Sequence, residues 1–269
     1  MASTMSGALE IVARTHPGQV REQNEDVVFV DPARGLVIVA DGMGGYNAGE
    51  VASNLAVSFL ASALSTSFFE PDPAAQKNGE APSASACLAE SIGLANTVIY
   101  NASLDDDSYA GMGTTLVTGL FSDNRITVAH IGDSRLYRLR DGQFTVMTRD
   151  HSLLQEQIDH GMITAEEARF AQNKNLVTRA LGVEPSVESE IHDYEVLPGD
   201  LYLFCSDGLN DMVSDEEIHL TLRMPPDNIG EAADALVRKA NEHGGRDNVS
   251  VVLVKVAHAF PETPKNKES

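Results

Sequence analysis

Four strand patterns follow one another closely in the middle of the chain, between residues 114 and 147. They are short runs rich in β-branched and aromatic residues, separated only by Ser-Asp-Asn, Gly-Asp-Ser and Asp-Gly turns. Parallel neighbours need a crossover of about a dozen residues or more, and these turns are too short for one. The spacing therefore predicts an antiparallel meander and makes a parallel βαβ fold the weaker interpretation.

Helical patterns accompany strand patterns in both halves of the chain. In the first half Val51, Leu55 and Phe59 recur every fourth residue, which is typical of a helix with one buried face. In the second half, helices are predicted at about 215–222 and 229–242. We therefore expect an α+β fold of two packed antiparallel β-sheets flanked by helices, an α-β-β-α sandwich.

The chain of 269 residues is long enough for one large domain, and no change in composition requires a second. We expect this domain at residues 8–257. Residues 149–182 are polar and predict a helical segment, while residues 70–85, rich in Pro, Gly and Ala, predict a mobile loop. Residues 258–269 form a polar tail.

The composition excludes several classes of partner. Forty acidic residues against 19 basic ones give a net charge of −21, which argues against nucleic acid or an anionic membrane. Cys87 and Cys205 are far apart and in no CxxC pattern, so neither a disulfide framework nor a zinc site is indicated. No signal sequence is apparent and no segment approaches the length needed to span a bilayer, so we expect a cytoplasmic protein.

Five acidic residues each stand beside a short apolar run, although they are scattered over most of the chain. They are Asp26, Asp41, Asp133, Asp207 and Asp247. Carboxylates at strand ends lie on rigid elements at the rim of the core, and if they converge they repel one another unless cations hold them. Oxygen ligands with few His and Cys nearby favour Mg²⁺ or Mn²⁺ over zinc.

Asp41 and Asp207 are each followed by glycine after a strongly apolar run. An isolated Asp-Gly pair is most often a plain turn, as we expect for Asp141-Gly142. The matching contexts of Asp41 and Asp207 favour a shared role in a site.

These residues lie in motifs that follow the order seen in bacterial metal-dependent Ser/Thr protein phosphatases of the 2C class, and the chain resembles that family. Each motif is weak alone, but their order over about residues 8–256 is specific. It implies that the predicted domain is a phosphatase catalytic domain, in which residues 149–182 resemble the small helical flap beside the active site. The motifs are Glu22-Gln-Asn-Glu-Asp26, Ala40-Asp-Gly-Met-Gly-Gly45, Gly111-Met-Gly-Thr-Thr-Leu-Val117, Ile131-Gly-Asp-Ser-Arg135, Thr178-Arg-Ala-Leu-Gly182, Cys205-Ser-Asp-Gly-Leu209 and Arg246-Asp-Asn-Val249.

The resemblance implies a site for two Mn²⁺ or Mg²⁺ ions. Asp41 would bridge the two ions and the Gly42 carbonyl would complete one coordination shell. Asp207 and Asp247 would bind on the other side. A hydroxide held between the metals would attack the phosphorus of phosphoserine or phosphothreonine in proteins, opposing a bacterial eukaryotic-like kinase in signalling.

The resemblance also implies supporting roles. Asp133, with Asp207, would hold a looser third metal, while Glu25 and Asp26 would act mainly through metal-bound waters. Arg21 resembles the arginine that binds the substrate phosphate in this family. The planar guanidinium group of arginine can hydrogen-bond to two phosphate oxygens at once.

The identity of the general acid, the group that protonates the leaving alkoxide, stays open. Many bacterial members carry His directly after Asp-Gly-Met-Gly-Gly, whereas this chain has Tyr46. A phenol, with an ordinary pKa of about 10, can donate a proton, but metal-bound water can serve instead.

Two competing functions also stay open. A catalytically silent regulator of the same fold would bind phosphoproteins without hydrolysing them, and loss of metal acids would mark it. A metal phosphodiesterase acting on nucleotides or nucleic acid would also use such carboxylates, but this acidic chain lacks the basic surface that those polymers favour.

Overall fold

A computed structural model describes residues 7–45, 47–70, 82–168, 171, 176–223 and 228–260. Most of the predicted mobile loop at 70–85 and most of the polar tail at 258–269 lie outside these ranges.

Two antiparallel sheets form the centre of the fold. The first has the strand order β1 (Leu9–His16), β11 (Val249–Val256), β10 (Leu201–Cys205), β7 (Arg135–Arg140) and β8 (Gln143–Val146). The second has the order β2 (Asp26–Asp31), β3 (Leu36–Met43), β5 (Leu116–Ser122), β6 (Arg125–Ile131) and β9 (Glu190–Glu195), with β4 (Gly113–Thr114) paired to the end of β3.

Helices cover the outer faces of both sheets. The α-helices of the described residues are α1 (Ala48–Leu64), continued by a π-helical turn at Ser65–Phe69, α2 (Ala84–Asp105), α3 (Leu153–Asp159), α4 (Ala165–Ala168), α5 (Asp207–Asn210), α6 (Asp215–Arg223) and α7 (Ile229–Glu242). α1 and α2 pack on the second sheet, and α5, α6 and α7 pack on the first. α3 and α4 lie in the predicted flap.

Strand β3 shows why the layers stack in this way. Val37 and Val39 join Val252 and Phe204 of the other sheet in one cluster between the sheets. Ile38, which points to the opposite face, packs instead among the residues of α1 and α2. Both faces of β3 are thus covered, which is why its pattern is apolar throughout rather than alternating. The predicted α-β-β-α sandwich is confirmed.

The predicted meander between residues 114 and 147 is wrong. β5 pairs with β6 and β7 pairs with β8, but β6 and β7 belong to different sheets. The chain crosses from one sheet to the other at Gly132, whose φ of +102° is a conformation that glycine adopts readily. A short turn can change sheets as well as form a hairpin, and this crossing places Asp133 between the two sheets.

The buried face of α1 is the stripe of smaller residues. Ala52, Ala56 and Leu60 are buried, whereas Phe59 is 36% exposed. Small side chains let the helix lie close to β3. Val51 and Leu55 of the neighbouring stripe are partly buried against the same core, and Phe59 is the exposed member of that stripe.

Helix length corrects one further expectation. Among the described residues, one helix of 22 residues, Ala48–Phe69, is long and apolar enough to cross a bilayer. The inner face of this helix packs into the core over the second sheet, and a core helix passes the same test of length and composition.

Candidate metal centre

The second sheet contributes two facing carboxylates. Asp26 is the first residue of β2, and Asp41 lies directly opposite it on β3. The backbone of Asp41 is held by the 113–115 segment, because Thr115 N and Thr114 Oγ1 both donate to its carbonyl oxygen, at 2.8 and 2.9 Å. The pairing of β2 with β3 explains how Asp26 and Asp41, which are 15 residues apart in the sequence, come to share one site.

The first sheet contributes the acids near the C-terminal strands. Asp207 begins α5 just after β10, and Asp247 lies two residues before β11. The two sheets are joined here, because Ser206 Oγ donates to Asp26 Oδ2 at 2.7 Å. Ser250 N in turn donates to Ser206 Oγ at 3.0 Å. The site therefore lies on the seam between the sheets.

Asp133 reaches the same seam from the crossing between β6 and β7. It is only 6% exposed. Its neighbour Ser134 shares a 2.7 Å hydrogen bond between its Oγ and Thr115 Oγ1, which ties the crossing to the segment that holds Asp41.

Burial and neighbouring carboxylates raise the pKa of Asp41 and of Asp207. Burial, followed by the charges of Asp26, Asp207, Asp133 and Asp247, raises the pKa of Asp41 well above its usual range. Burial and the charge of Asp133 do the same for Asp207. The charges that act on Asp41 are those of the other four predicted acids, so all five lie near one another.

The smaller shifts have the same main cause. Burial raises the pKa of Asp26 to about 6, although its hydrogen bond from Ser206 acts in the opposite direction. Burial and the charge of Asp150 raise the pKa of Asp133 to about 7.

The donor set fits a hard divalent cation. Buried carboxylate oxygens without a hydrogen-bond partner include Glu25 Oε1, Asp26 Oδ1 and Asp207 Oδ1. A buried oxygen that accepts nothing is costly, and coordination to Mg²⁺ or Mn²⁺ is the interaction that satisfies several such oxygens at once. The coordination roles of Asp41, Asp207 and Asp247 stay predictions, but their surroundings suit them.

Gly42 lies where two backbone segments converge. Its N–H donates to Glu25 O at 3.2 Å, and a Cβ at this position would come within 2.1 Å of Gly49 O. The first turn of α1 can approach the site this closely only because residue 42 has no side chain. The role of the Gly42 carbonyl as a ligand stays a prediction.

Arg21 lies at the exposed side of the centre. Its Nη2 donates to Asp247 Oδ2 at 2.7 Å, and half of the side chain is exposed. The charges of Asp247, Glu25 and Asp41 raise the pKa of Arg21, with the Asp247 hydrogen bond contributing most. The guanidinium is thus a cation at the opening of an acidic site, where a phosphate dianion would need one.

Asn248 is a supporting residue to which the sequence reasoning assigned no role. Its Oδ1 accepts from Glu25 N at 2.7 Å, and its Nδ2 donates to Gln23 O and Pro17 O at 2.8 and 3.1 Å. One side chain therefore fixes the loop that carries Arg21 and Glu25 against the strand end that carries Asp247. Asn248 belongs to a quoted motif, so the signal was present, but its partners are distant in sequence.

A cavity of about 480 Å³ opens beside Asp133 and Asp207. Leu154 and Ile158 of α3 line it, so the flap borders the acidic centre. Arg135 supports this wall with two hydrogen bonds to Asp150, at 2.8 and 2.6 Å. Movement of the flap stays a prediction, and Tyr46 lies outside the described residues.

Divalent cations should stabilise this protein more strongly as the pH rises. In metal-free protein the stability that the raised carboxyl pKa values contribute is complete below about pH 4 and is lost as the pH rises through about 6 to 7. Excess Mg²⁺ should therefore raise the melting temperature by several degrees more at about pH 7.5 than at about pH 5. Thermal melts with EDTA or MgCl₂ measure this, and equal shifts at the two pH values would contradict it.

The comparisons with known proteins agree with this geometry. The family model described as "Protein phosphatase 2C" matches residues 16–238. The serine/threonine protein phosphatase PstP of Mycobacterium tuberculosis is 40% identical over 248 residues, which are 92% of this chain and 45% of that protein. The serine/threonine phosphatase stp of Listeria monocytogenes is 37% identical, over 90% of this chain and 94% of its own length.

A solved structure extends the likeness to the fold. The crystal structure of the PstP catalytic domain in complex with two manganese ions has a TM-score of 0.79 and 40% identity, and the match covers 93% of this chain and 98% of that one. The chain belongs to the protein phosphatase 2C family. It spans less than half the length of full PstP.

Proposed function

We propose that this protein is a metal-dependent protein serine/threonine phosphatase. The observation that carries the proposal is the convergence of Asp41, Asp207 and Asp247 on one seam between the sheets. The chain is also 40% identical in sequence to a phosphatase domain whose structure holds two manganese ions. The named phosphatases among its relatives support an active enzyme.

The side chains divide the work of phosphate-ester hydrolysis. Cations held by Asp41, Asp207 and Asp247 would supply an activated water nucleophile and neutralise charge on the phosphate. Arg21 binds phosphate oxygens at the opening of the site, where its guanidinium is partly exposed. Glu25 and Asp26 would act mainly through metal-bound waters, and they are held in place by Asn248, which binds the Glu25 backbone, and by Ser206, which binds the Asp26 carboxylate.

The two other functions are less well supported. A silent phosphoprotein-binding regulator does not need the complete acid set, yet this chain has every acid that the family pattern calls for. A phosphodiesterase acting on nucleic acid is disfavoured by the charge of −21.

Finer features are part of the same proposal. An all-oxygen site suits either Mn²⁺ or Mg²⁺. The charge of Asp133 raises the pKa of Asp207, and this closeness of the two carboxylates supports a third, looser cation between them. Phosphorylated proteins are the substrates, a Ser/Thr kinase supplies them, and the enzyme works in the cytoplasm. Two buried, unpaired cysteines are consistent with a reducing compartment.

The test is phosphate release from a phosphothreonine peptide. We expect turnover with Mn²⁺ and its loss with EDTA, followed by recovery when Mn²⁺ is restored. A phosphodiester such as bis(p-nitrophenyl) phosphate, compared in the same buffer, separates the phosphodiesterase alternative. Binding of the phosphopeptide without turnover would favour the silent regulator, and turnover unaffected by EDTA would refute metal dependence.

A further inference from the structure

Two buried histidines and a partly exposed glutamate form a group outside the metal centre. His130 on β6, His151 at the start of the flap and Glu190 on β9 have ligand atoms within 4.8 Å of one another. The two imidazole rings stack with centroids 4.8 Å apart. The composition is that of a zinc site, so the protonation of each ring decides what the group can do.

Hydrogen bonds assign the tautomer of each ring. Gly132 N–H donates to His151 Nδ1 at 3.2 Å, so in a neutral ring the proton of His151 must be on Nε2. His130 Nε2 lies 2.8 Å from Arg149 O, and since a carbonyl only accepts, that nitrogen also carries a proton. Burial lowers the pKa of both imidazoles, which keeps them neutral near pH 7.

These tautomers argue against a metal. A metal-bound histidine normally donates its second ring N–H to an acceptor, whereas the second nitrogen of His151 already accepts from a backbone N–H. The Nε2–H of His151 instead faces Glu190 Oε1 at 3.3 Å. The group is therefore better suited to holding structure than to binding an ion.

The structure that His151 holds is the crossing next to Asp133. Its own N–H donates to Gly132 O at 2.9 Å while its Nδ1 accepts from Gly132 N–H, so both backbone groups of the turn are fixed by one residue. His151 O also accepts from Thr178 N at 2.8 Å, which joins the start of the flap to its end. His151 is 5% exposed, so water does not readily replace these contacts.

We propose that His151 is a positioning residue for the reaction. Through Nδ1 it fixes Gly132, and through Gly132 it sets the carboxylate of Asp133 relative to Asp207 and the base of the flap. This inference rests on the proposed function, in which these acids hold the cations. Residues that orient a ligand in this way typically change metal affinity or activity about 10–100-fold when they are replaced.

Two amide substitutions separate the ring nitrogens. In His151→Asn, Oδ1 occupies the place of Nδ1 and can still accept from Gly132 N–H. In His151→Gln, the amide reaches the place of Nε2 and leaves Gly132 N–H unpaired. We expect His151→Asn to stay within about threefold of wild type, and His151→Gln to weaken the weakest class of bound Mn²⁺ about tenfold and to lower kcat with little change in KM.

The measurements are Mn²⁺ binding by electron paramagnetic resonance and turnover of the phosphopeptide. His192→Asn is the control, because His192 is 55% exposed on the same strand as Glu190 and makes no contact with Gly132 among those described. If His151→Gln does not fold, His151→Phe keeps the stack on His130 without an acceptor and takes its place.

Other results would overturn the proposal. Equal effects of Asn and Gln would mean that Nδ1 has no special role, and retention by Gln with loss by Asn would assign the role to the Glu190 contact. Loss of one bound metal equivalent in both variants would make His151 a ligand. If wild type binds Mn²⁺ without turnover, the proposed function fails while the binding measurements still test His151.

Discussion

Asp207→Asn should reduce phosphate release by about 10²–10⁴-fold, because a ligand that stabilises the transition state through a metal contributes several kcal/mol. The same substitution should make the metal-free protein more stable. Asp207 is buried beside Asp133 and other carboxylates that raise its pKa, and a neutral amide removes one of the repelling charges. We therefore expect a higher melting temperature in EDTA at about pH 7.5 and a smaller gain on adding Mg²⁺.

Lower turnover together with a higher metal-free melting temperature distinguishes loss of a metal ligand from misfolding, which would lower both. Asp141→Asn is the matched control, since Asp141 precedes a glycine in an exposed turn with a φ of +50°, which asparagine tolerates. It should leave turnover, melting temperature and metal response close to wild type. Full turnover by Asp207→Asn, or a large loss of metal-free stability, would remove Asp207 from the metal centre.

Gly42→Ala should destabilise the protein by about 3 kcal/mol or more, because the added Cβ meets rigid backbone on two sides. It would lie 2.1 Å from Gly49 O and 2.8 Å from Glu25 O, so the start of α1 or the loop before β2 must move. We expect the melting temperature to fall by roughly 10 °C and Mn²⁺ binding to weaken as well. Thermal melts and a metal titration measure the two effects.

Gly45→Ala is the control within the same loop. Apart from its chain neighbours, no atom of the described residues lies within 4 Å of a Cβ built at Gly45, and its backbone is outside the left-handed region. We expect a change within about 0.5 kcal/mol. Similar losses for the two variants would mean that the loop resists alanine in general, and the close approach at Gly42 would not be the cause.

Local patterns predicted the elements and the acids well. Asp41 and Asp207 could be singled out because each follows an apolar strand, and the two sheets with their outer helices followed from the spacing of those strands. A capping box at the start of α4 is another local feature, since Thr164 N donates to Glu167 Oε2 at 2.8 Å and Glu167 N donates back to Thr164 Oγ1 at 3.2 Å. Such contacts are made within a few residues, where sequence is informative.

Partners distant along the chain could not be predicted in the same way. The turn at Gly132 has the composition of a hairpin, and only the pairing of β7 with β10 shows that it changes sheets. Asn248 reaches residues more than 220 positions away, and His151 holds a turn 19 residues earlier. Each of these contacts depends on the packing of whole sheets, which a pattern of neighbouring residues does not contain.

The pairing of the first and last strands affects when the centre can exist during synthesis. β1 pairs with β11 from Leu9 opposite Val256 to His16 opposite Val249, and Asp247 lies two residues before β11. A growing chain on the ribosome carries Asp26, Asp41, Asp133 and Asp207 before Asp247 and β11 have emerged. We therefore expect the five acids to come together only when β11 has closed the first sheet against β1.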